Sequence, residues 1–356
     1  MSNHREVRVA IAGIGNVASS LIQGVEYYNR ARGELKCLGL ANEDVGGYLT
    51  SDIRFVAGFD VNSEKIGKDL SEAIFAKPNC VSIVDKVPKI GARVFPAPIF
   101  DSVAKHMITH YNVSEYTPVD VVSVLRETKA DILVNLIPVG SRIATEHYAE
   151  ACLEAGCAMI NGIPEFIASD RGWGERFRNK DLPIAGDDVK SQLGATILHR
   201  ALVNLMRERG VRVDETYQLN VGGNTDFLNM MSEERLKTKR ISKTEAVTSL
   251  VTYEVPTRIG PSDFVPFLGD TKVAYMWVKG RIFGGMPVQI DIKLSVADSP
   301  DAAGVLIDVI RLVKMALDRG LAGPLENICA YYFKHPPLNV PDDEAKRLLD
   351  DFIKGG

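Results

Sequence analysis

A cluster of basic residues that follows a glycine-rich segment is the part of the sequence best suited to chemistry. Gly222-Gly-Asn-Thr-Asp-Phe227 precedes five cationic side chains, which are Arg235, Lys237, Lys239, Arg240 and Lys243. On a helix, Lys239 and Lys243 share one face, where like charges repel unless an anion lies between them. We expect a pocket for a phosphorylated substrate, with Gly223 and Asn224 where backbone can approach the ligand closely and lysines that stabilise oxyanions. The alternative is an ordinary solvated basic face.

The composition is that of a globular protein of about two domains, since its 356 residues compare with about 150 per domain. A net charge of −4 gives no general attraction to nucleic acid. No apolar run is long enough to predict a membrane span, and the first residues do not resemble a signal peptide. The five cysteines are scattered and form no CxxC pair, which predicts thiols outside disulfide bonds in a reducing cytoplasm.

A dinucleotide-binding turn is predicted near the start of the chain. Residues 7–12 form a short apolar run typical of a buried parallel strand, and a helical pattern follows residue 18. Between them lies G-x-G-x-x-A, in which Gly13 and Gly15 allow a tight turn and close approach to a pyrophosphate. Asn16 and Val17 begin the helix whose amides would bind that group. The alternative is a strand–helix turn without a ligand.

The acidic residue expected about 20 residues further on, which would bind the ribose, is absent. Residues 32–51 are irregular and glycine-rich, and we interpret them as an insertion. The second strand follows at residues 53–59 and ends in Asp60, our ribose candidate, with Asp69 as the second candidate. A carboxylate there favours NAD over NADP, because it would repel the 2′-phosphate. Either residue could instead cap a helix or be solvated.

Strands and helices alternate up to about residue 190. The pattern predicts a helix over 119–129 and strands over 131–137, 158–161 and 182–185, hence a doubly wound, Rossmann-type parallel sheet. Loops at the carboxyl ends of such strands border the ligand crevice. We therefore expect Val139 and Gly140, and Tyr148 on the next helix, to lie along the nicotinamide half of the cofactor.

A second polar turn, Gly186-Asp-Asp-Val-Lys-Ser191, ends the last of these strands. Asp187 and Asp188 could cap a helix that begins near Gly194, hold a cationic lysine, or bind a metal. The Ser191 hydroxyl could bond to a phosphate or an amide.

The pattern changes after residue 201 to that of an inserted α+β domain with an antiparallel-type sheet. It predicts a strand over 211–221, a helix begun by a capping box of Ser242 and Glu245, and a hairpin turn at Lys279-Gly280. Residues 288–296 alternate apolar and polar side chains, as in a half-buried antiparallel strand whose sheet could contact another subunit. Ser299 and Pro300 then begin a helix over 302–319. We assign residues 1–201 to the NAD-binding domain, 202–298 to the insertion and 299–356 to a return to the first domain.

Seven blocks in order along the chain resemble the myo-inositol-1-phosphate synthase family, in its shorter prokaryotic form. They are Gly13-Ile-Gly-Asn-Val-Ala-Ser-Ser-Leu21, Gly186-Asp-Asp-Val-Lys-Ser191, Leu219-Asn-Val-Gly-Gly-Asn-Thr-Asp-Phe-Leu228, Lys239-Arg-Ile-Ser-Lys243, Gly269-Asp-Thr-Lys-Val-Ala274, Ala297-Asp-Ser-Pro300 and Tyr332-Phe-Lys-His-Pro-Pro337. The resemblance implies conversion of D-glucose 6-phosphate to 1L-myo-inositol 1-phosphate, also named 1D-myo-inositol 3-phosphate. NAD would take a hydride from C5 and return it after C6 deprotonation and aldol closure on C1.

The resemblance also implies roles for single residues. Lys239 and Lys272 would serve the developing oxyanions and proton transfer at C5, Lys243 the phosphate, and Lys334 the C1 oxygen. Asp187 and Asp298 would orient lysines or hydroxyls. Asp188, Asp226 and Ser191 would lie at the cofactor.

The resemblance leaves the metal open and implies an assembly. Prokaryotic members can use a divalent ion, but no cluster here has convincing ligand spacing. Members of the family usually form tetramers through the inserted sheet. The long N-terminal extension of the eukaryotic enzymes is absent from this sequence, so activation by ammonium is not inferred.

Two other functions are compatible with an N-terminal Rossmann domain and an antiparallel insertion. One is a net dehydrogenase of the homoserine or semialdehyde type, which would accumulate NADH with its substrate. The other is a non-catalytic NAD sensor. Four lysines are more than hydride transfer or sensing requires, which favours the synthase.

Overall fold

The computed structural model of the protein describes residues 5–108, 110 and 112–355. Some side chains within helices and strands lie outside this description, namely Glu34, Lys36, Glu233, Leu236, Lys237, Lys239, Arg240, Pro261 and Ser262. The predicted site residue Lys239 is among them. Within the described ranges, no helix has the length and apolar character needed to cross a membrane.

The described chain folds into two sheets with helices packed against them. The strands are β1 Val7–Ala12, β2 Ile53–Asp60, β3 Val94–Pro96, β4 Ile132–Asn135, β5 Ala158–Asn161, β6 Pro183–Ala185, β7 Arg212–Gly222, β8 Thr257–Phe264, β9 Thr271–Arg281, β10 Pro287–Ala297 and β11 Gly323–Pro324. The helices are α1 Asn16–Arg30, α2 Leu70–Ala73, α3 Val121–Glu127, α4 Arg142–Ala155, α5 Arg171–Arg178, α6 Ala195–Glu208, α7 Thr225–Asn229, α8 Glu233–Thr248, α9 Asp298–Asp318, α10 Glu326–Tyr332 and α11 Asp342–Lys354.

The first sheet has seven parallel strands in the order β11-β6-β5-β4-β1-β2-β3, which confirms the doubly wound fold. Its strands are apolar because both faces are covered. Val7, Val9 and Ile11 pack with α1 and α9 on one face, whereas Ala10 and Ala12 pack with α3 and α4 on the other. The strand order reverses on either side of β1, so a crevice opens there at the carboxyl ends of β1 and β4.

The second sheet, in the order β10-β9-β7-β8, is mixed rather than antiparallel. β9 pairs antiparallel with both β7 and β10, but β7 and β8 are parallel. The segment between β7 and β8 contains α7 and α8 and is long enough for the crossover that parallel strands require. After β10 the chain returns to the first sheet through α9 and β11. The domain boundaries at residues 202 and 298 stay a prediction.

The predicted turn at Lys279-Gly280 is wrong. β9 continues through both residues to Arg281, and the chain turns at residues 282–286 instead. A Cβ on Gly280 would lie 2.5 Å from the carbonyl oxygen of Arg212 on the neighbouring strand. The glycine therefore allows two strands to approach closely, a function that sequence alone does not distinguish from a turn.

Two predicted helix starts are also wrong, because each serine binds a distant carboxylate. α8 begins at Glu233, so Ser242 lies inside it and donates to Asp188 Oδ2 at 2.5 Å. α9 begins at Asp298, and Ser299 donates from its hydroxyl to Asp270 Oδ1 at 2.6 Å. Local capping rules could not detect these long-range acceptors.

Candidate active site

An open cavity lies where the carboxyl ends of the parallel strands face the second sheet. Its lining runs from the turn after β1 to residues of β7, β9 and the C-terminal return. The predicted site residues that line it are Gly13, Gly15, Asn16, Val17, Asp60, Val139, Tyr148, Asp188, Ser191, Asn224, Asp226, Lys243, Lys272, Asp298 and Lys334. Those that do not line it within the described part of the chain are Asp69, Gly140, Asp187 and Gly223.

The turn after β1 has the geometry that a pyrophosphate requires. Gly13 has φ +86, and a Cβ there would lie 2.6 Å from the carbonyl oxygen of Leu136. At Gly15 a Cβ would meet nothing within 4 Å among the described residues, so its backbone borders open space. No described side chain caps the N-terminus of α1, which leaves its amides and dipole to an anion. These residues fit a dinucleotide.

Asp60 and Asp69 have different surroundings. The Asp60 carboxylate accepts from the amides of Ile14, Val61 and Asn62, each at 2.8 Å, and it faces the cavity. Asp69 caps α2 through Ser71 N at 3.0 Å and also binds the amides of Ile90 and Gly91. Burial alone would raise the pKa of Asp69, but these hydrogen bonds together lower it. The second ribose candidate is therefore a helix cap outside the cavity.

Lys65, which lies after β2 and contacts the glycine turn, is a residue that sequence analysis missed. Its ammonium donates to the carbonyl oxygen of Ile14 at 2.7 Å and to Asn79 Oδ1 at 3.1 Å. Asp60 Oδ2 lies 3.9 Å away. Burial lowers the pKa of Lys65, and the nearby Asp60 charge opposes that shift. The only feature of the sequence that could have indicated Lys65 was its position shortly after Asp60, the ribose candidate.

The loop after β4 is attached to the insertion. The carbonyl oxygen of Val139 accepts from Asn229 Nδ2 and from Arg235 Nη1, both at 2.9 Å. Gly140 faces Arg235 rather than the cavity, because a Cβ on Gly140 would lie 2.8 Å from Arg235 Cγ. Tyr148 forms part of the buried cavity wall, with its ring 6.0 Å from that of Phe59, and burial raises its pKa.

Lysine–carboxylate pairs also line the cavity. Lys272 Nζ on β9 donates to Asp298 Oδ1 at 2.9 Å. Lys334 Nζ donates to Asp188 Oδ1 at 2.9 Å and to the carbonyl oxygen of Val189 at 2.7 Å. Lys243 on α8 lines the same space. Lys239 lies outside the described side chains.

The two adjacent aspartates differ in their surroundings, and the role expected of Asp187 falls to Asp188. Asp187 is fully buried and accepts from Asn161 Nδ2 at 2.7 Å and from the backbone amides of residues 167–169. Burial raises its pKa to about 6, although these hydrogen bonds oppose the shift. Asp187 therefore stabilises the buried turn after β6 and does not line the cavity. It is Asp188 that holds a lysine.

The glycine-rich segment before the basic cluster packs against protein. A Cβ on Gly223 would lie 2.5 Å from the carbonyl oxygen of Val265, so this glycine allows close packing of loops. Asn224 caps α7 and donates to Asp270 Oδ1 at 3.0 Å. Asp270, which sequence analysis left out, also accepts from Ser299, and burial raises its pKa. The segment positions carboxylates around Lys272.

Metal ligands are not clustered in this region. Among the described residues, no three His, Cys, Asp or Glu side chains are arranged to hold a metal ion. Cationic nitrogens are thus the groups in the described lining best suited to stabilise negative charge on oxygen.

This arrangement defines a Rossmann-fold enzyme whose cofactor crevice ends in paired lysines. The family model described as myo-inositol-1-phosphate synthase matches residues 194–299. An inositol-3-phosphate synthase of Corynebacterium glutamicum is 49% identical over 355 residues, with 98% of each chain covered. One from Mycolicibacterium smegmatis is 47% identical over 363 residues and 100% of both chains. A crystal structure of a myo-inositol-1-phosphate synthase-related protein from Thermotoga maritima has a TM-score of 0.80, 26% identity and 98% coverage of both chains.

The chain belongs to the inositol-3-phosphate synthase family, a family of isomerases. The resemblance seen in the spaced sequence blocks is confirmed.

Proposed function

We propose that this protein converts D-glucose 6-phosphate to 1L-myo-inositol 1-phosphate with NAD bound along the glycine turn. The observation that carries the proposal is a single cavity lined both by the dinucleotide turn and by Lys243, Lys272 and Lys334. A dehydrogenase needs the first feature but not three lysines around its substrate.

NAD supplies reversible hydride acceptance at C5 of the sugar, so the net redox change is zero. The chain's own residues then have two tasks. They hold a phosphorylated sugar in one orientation, and they stabilise negative charge on oxygen during enolate formation and ring closure. An ammonium group fixed by a carboxylate is suited to the second task, because it need not reorient as charge develops.

The individual roles that we propose come from the family resemblance, and the pairs in the cavity are compatible with them. Lys272, held by Asp298, would stabilise the oxyanion at C5 and move a proton there, together with Lys239. Lys334, held by Asp188, would bind the C1 oxygen, and Lys243 would bind the phosphate as a charged donor. Asp226 and Ser191 line the same cavity and would contact the cofactor.

Cofactor choice would be set at the end of β2. Asp60 presents a carboxylate to the cavity beside the turn, which favours the unphosphorylated ribose of NAD. The nearby Lys65 supports the turn from beneath. A divalent metal stays an implication of family resemblance, and we assign no step to it.

We further propose a cytoplasmic homotetramer that assembles through the second sheet. Tyr217, Leu219 and Tyr275 are 36%, 44% and 45% exposed on one face of β7 and β9. Tyr217 stacks on Trp277 at 5.3 Å across the strands, so this face is aromatic as well as apolar. Light scattering at several protein concentrations tests the assembly, and a monomer throughout would contradict it.

The test of the reaction is incubation of the purified protein with glucose 6-phosphate and catalytic NAD⁺. Phosphorus and proton NMR follow the sugar, and absorbance follows NADH. We expect inositol phosphate without net NADH. Net NADH with an oxidised sugar would favour the dehydrogenase, and no reaction with added divalent metal or ammonium would overturn the proposal.

A further inference from the structure

One face of α8 bonds to three successive loops of the parallel sheet. Arg235 contacts the loop after β4, Thr238 the loop after β5, and Ser242 the loop after β6. These residues stand at i, i+3 and i+7, so they form a stripe along one side of the helix. We refer to Arg235, Thr238 and Ser242 as the docking stripe.

Arg235 anchors the first turn of α8. Its side chain is 8% exposed, and its Nη1 donates to Val139 O at 2.9 Å and to Ser141 Oγ at 3.3 Å. Its Nη2 donates to the carbonyl oxygen of Asp101. The guanidinium thus fixes the loop after β4, which we expect to border the nicotinamide half of the crevice. This arginine belongs to the basic cluster of the sequence, yet it binds protein oxygens.

Thr238 adds the second contact, through a buried carboxyl group. Glu165 is 3% exposed and accepts from Thr238 Oγ1 at 3.2 Å and from the amide of Gly140 at 3.1 Å. One side chain therefore joins the loop after β5 to both α8 and the loop after β4.

Ser242 adds the third contact and leads directly to a lysine. Its hydroxyl donates to Asp188 Oδ2 at 2.5 Å, while Asp188 Oδ1 accepts from Lys334 Nζ at 2.9 Å. The next residue along α8 is Lys243, which lines the cavity. A slip of α8 by one residue would rotate its side chains by about 100° and turn Lys243 away from the cavity.

We propose that the docking stripe and Glu165 are positioning residues that set the register of α8 against the cofactor loops. They act through Lys243 and Lys334 and need not touch the substrate. The link to turnover rests on the function proposed above, whereas the anchoring of α8 does not.

The test compares Ser242→Ala, Thr238→Val and Arg235→Met with Thr248→Val. Thr248 is a matched control, because its hydroxyl bonds to the carbonyl oxygen of Thr244 within α8. We measure hydrogen exchange of the amides in residues 233–248, the affinity for NAD⁺, and kcat and KM for glucose 6-phosphate.

Removal of a stripe contact should loosen α8 without removing the cofactor site. We expect Arg235→Met to speed exchange in α8 by about tenfold or more. We expect Ser242→Ala to lower kcat by about 10- to 100-fold, since small misplacements of catalytic groups have effects of that size. The dissociation constant of NAD⁺ should stay within about threefold. Ser242→Thr restores the hydroxyl and should recover most of kcat.

The outcomes separate the two proposals. If Ser242→Ala and Arg235→Met match Thr248→Val in both exchange and kcat, the docking stripe has no positioning role. If the wild type does not act on glucose 6-phosphate but α8 loosens in the stripe variants alone, the anchoring stands and the proposed reaction fails. If Arg235→Met does not fold, Ser242→Ala and Thr238→Val still test whether the docking stripe positions α8.

Discussion

Single residues in this site gain their roles from the group that faces them. Lys272 and Lys279 lie on the same strand, yet Lys272 pairs with Asp298 in the cavity and Lys279 pairs with Glu215 at 2.9 Å outside it. Asp187 and Asp188 are adjacent, yet one supports a buried turn and the other holds Lys334. The motif around Lys272 distinguished it from Lys279 in the sequence, but residue type and spacing did not predict which of the two aspartates would hold a lysine.

Replacement of Lys272 by alanine should remove a cation on which the proposed chemistry depends. We expect kcat to fall by at least about 100- to 1000-fold, the usual effect of losing an oxyanion donor. NAD⁺ binding, measured by titration, should be unchanged because the Lys272 ammonium pairs with Asp298 and not with the glycine turn. Lys279→Ala is the matched control and should keep normal turnover. Near-normal kcat in Lys272→Ala would remove this lysine from the mechanism.

His199 should make the protein sensitive to acid. It is fully buried on α6 beside Thr216 and Gln218, and burial lowers its pKa from 6.5 to about 4. Between these pH values the unfolded state binds more protons than the folded state, so stability rises with pH and is fully present above 6.5. At about 1.4 kcal/mol per pKa unit, the loss from pH 6.5 to 4 is about 3 kcal/mol.

Urea unfolding at several pH values measures this effect. His199→Gln lacks the titrating group, so its free energy of unfolding should depend less on pH in that window. Equal pH dependence in the wild type and the variant would show that other groups cause the acid sensitivity.

At the scale of elements, the positions of the strands were easier to predict than the starts of the helices, the turn after β9 and the pairing of β7 with β8. The apolar or alternating patterns located β1, β2, β7 and β10 within a residue or two. The starts of α8 and α9 and the turn after β9 were misassigned, since serine and glycine there serve distant contacts. The parallel pairing of β7 with β8 depends on where α7 and α8 lie, which no local pattern contains.

Gly280→Ala should weaken the β7–β9 pairing. Its new Cβ would lie 2.5 Å from a backbone oxygen, which cannot move aside as a flexible side chain would. We expect a loss of about 1–3 kcal/mol in the free energy of unfolding, as for overpacked sites. Gly24→Ala in α1 is the control, because its Cβ would meet only Ile307 Cδ1 at 3.8 Å among the described atoms. It should stabilise the helix by up to about 1 kcal/mol. Equal stability of Gly280→Ala and the wild type in urea would refute this packing role.

At the scale of the whole molecule, the C-terminal return is tied to the site by a buried charge cluster. Asp342 at the start of α11 accepts from Arg200 Nε at 2.8 Å and from Lys190 Nζ at 3.2 Å. Both cations are nearly fully buried. Burial lowers the pKa of Lys190 to about 8, and the charge of Asp342 opposes the shift. Lys190 belongs to the same turn as Asp188, which holds Lys334. Through Asp342, α11 therefore supports the turn that positions this lysine.

Asp342→Ala should leave two buried cations without their carboxylate. We expect a loss of about 2–4 kcal/mol in the free energy of unfolding, below the value for a fully buried pair because Asp342 is 32% exposed. Asp343→Ala removes only an exposed pair with Arg347 and should cost less than about 1 kcal/mol. Chemical denaturation measures both. If the two variants are equally stable, the buried charge cluster around Asp342 does not stabilise the C-terminal segment.

Sequence alone determined the Rossmann fold, the cofactor turn, the family and most of the cavity lysines. These depend on local periodicity and on motifs whose members lie within a few residues of one another. Tertiary structure decided which carboxylate holds which lysine, that Lys65 supports the glycine turn, and that Arg235 bonds to the loop after β4. A hydrogen bond needs its atoms within about 3 Å, and chain segments far apart in sequence meet at that distance only after the sheets and α8 have packed.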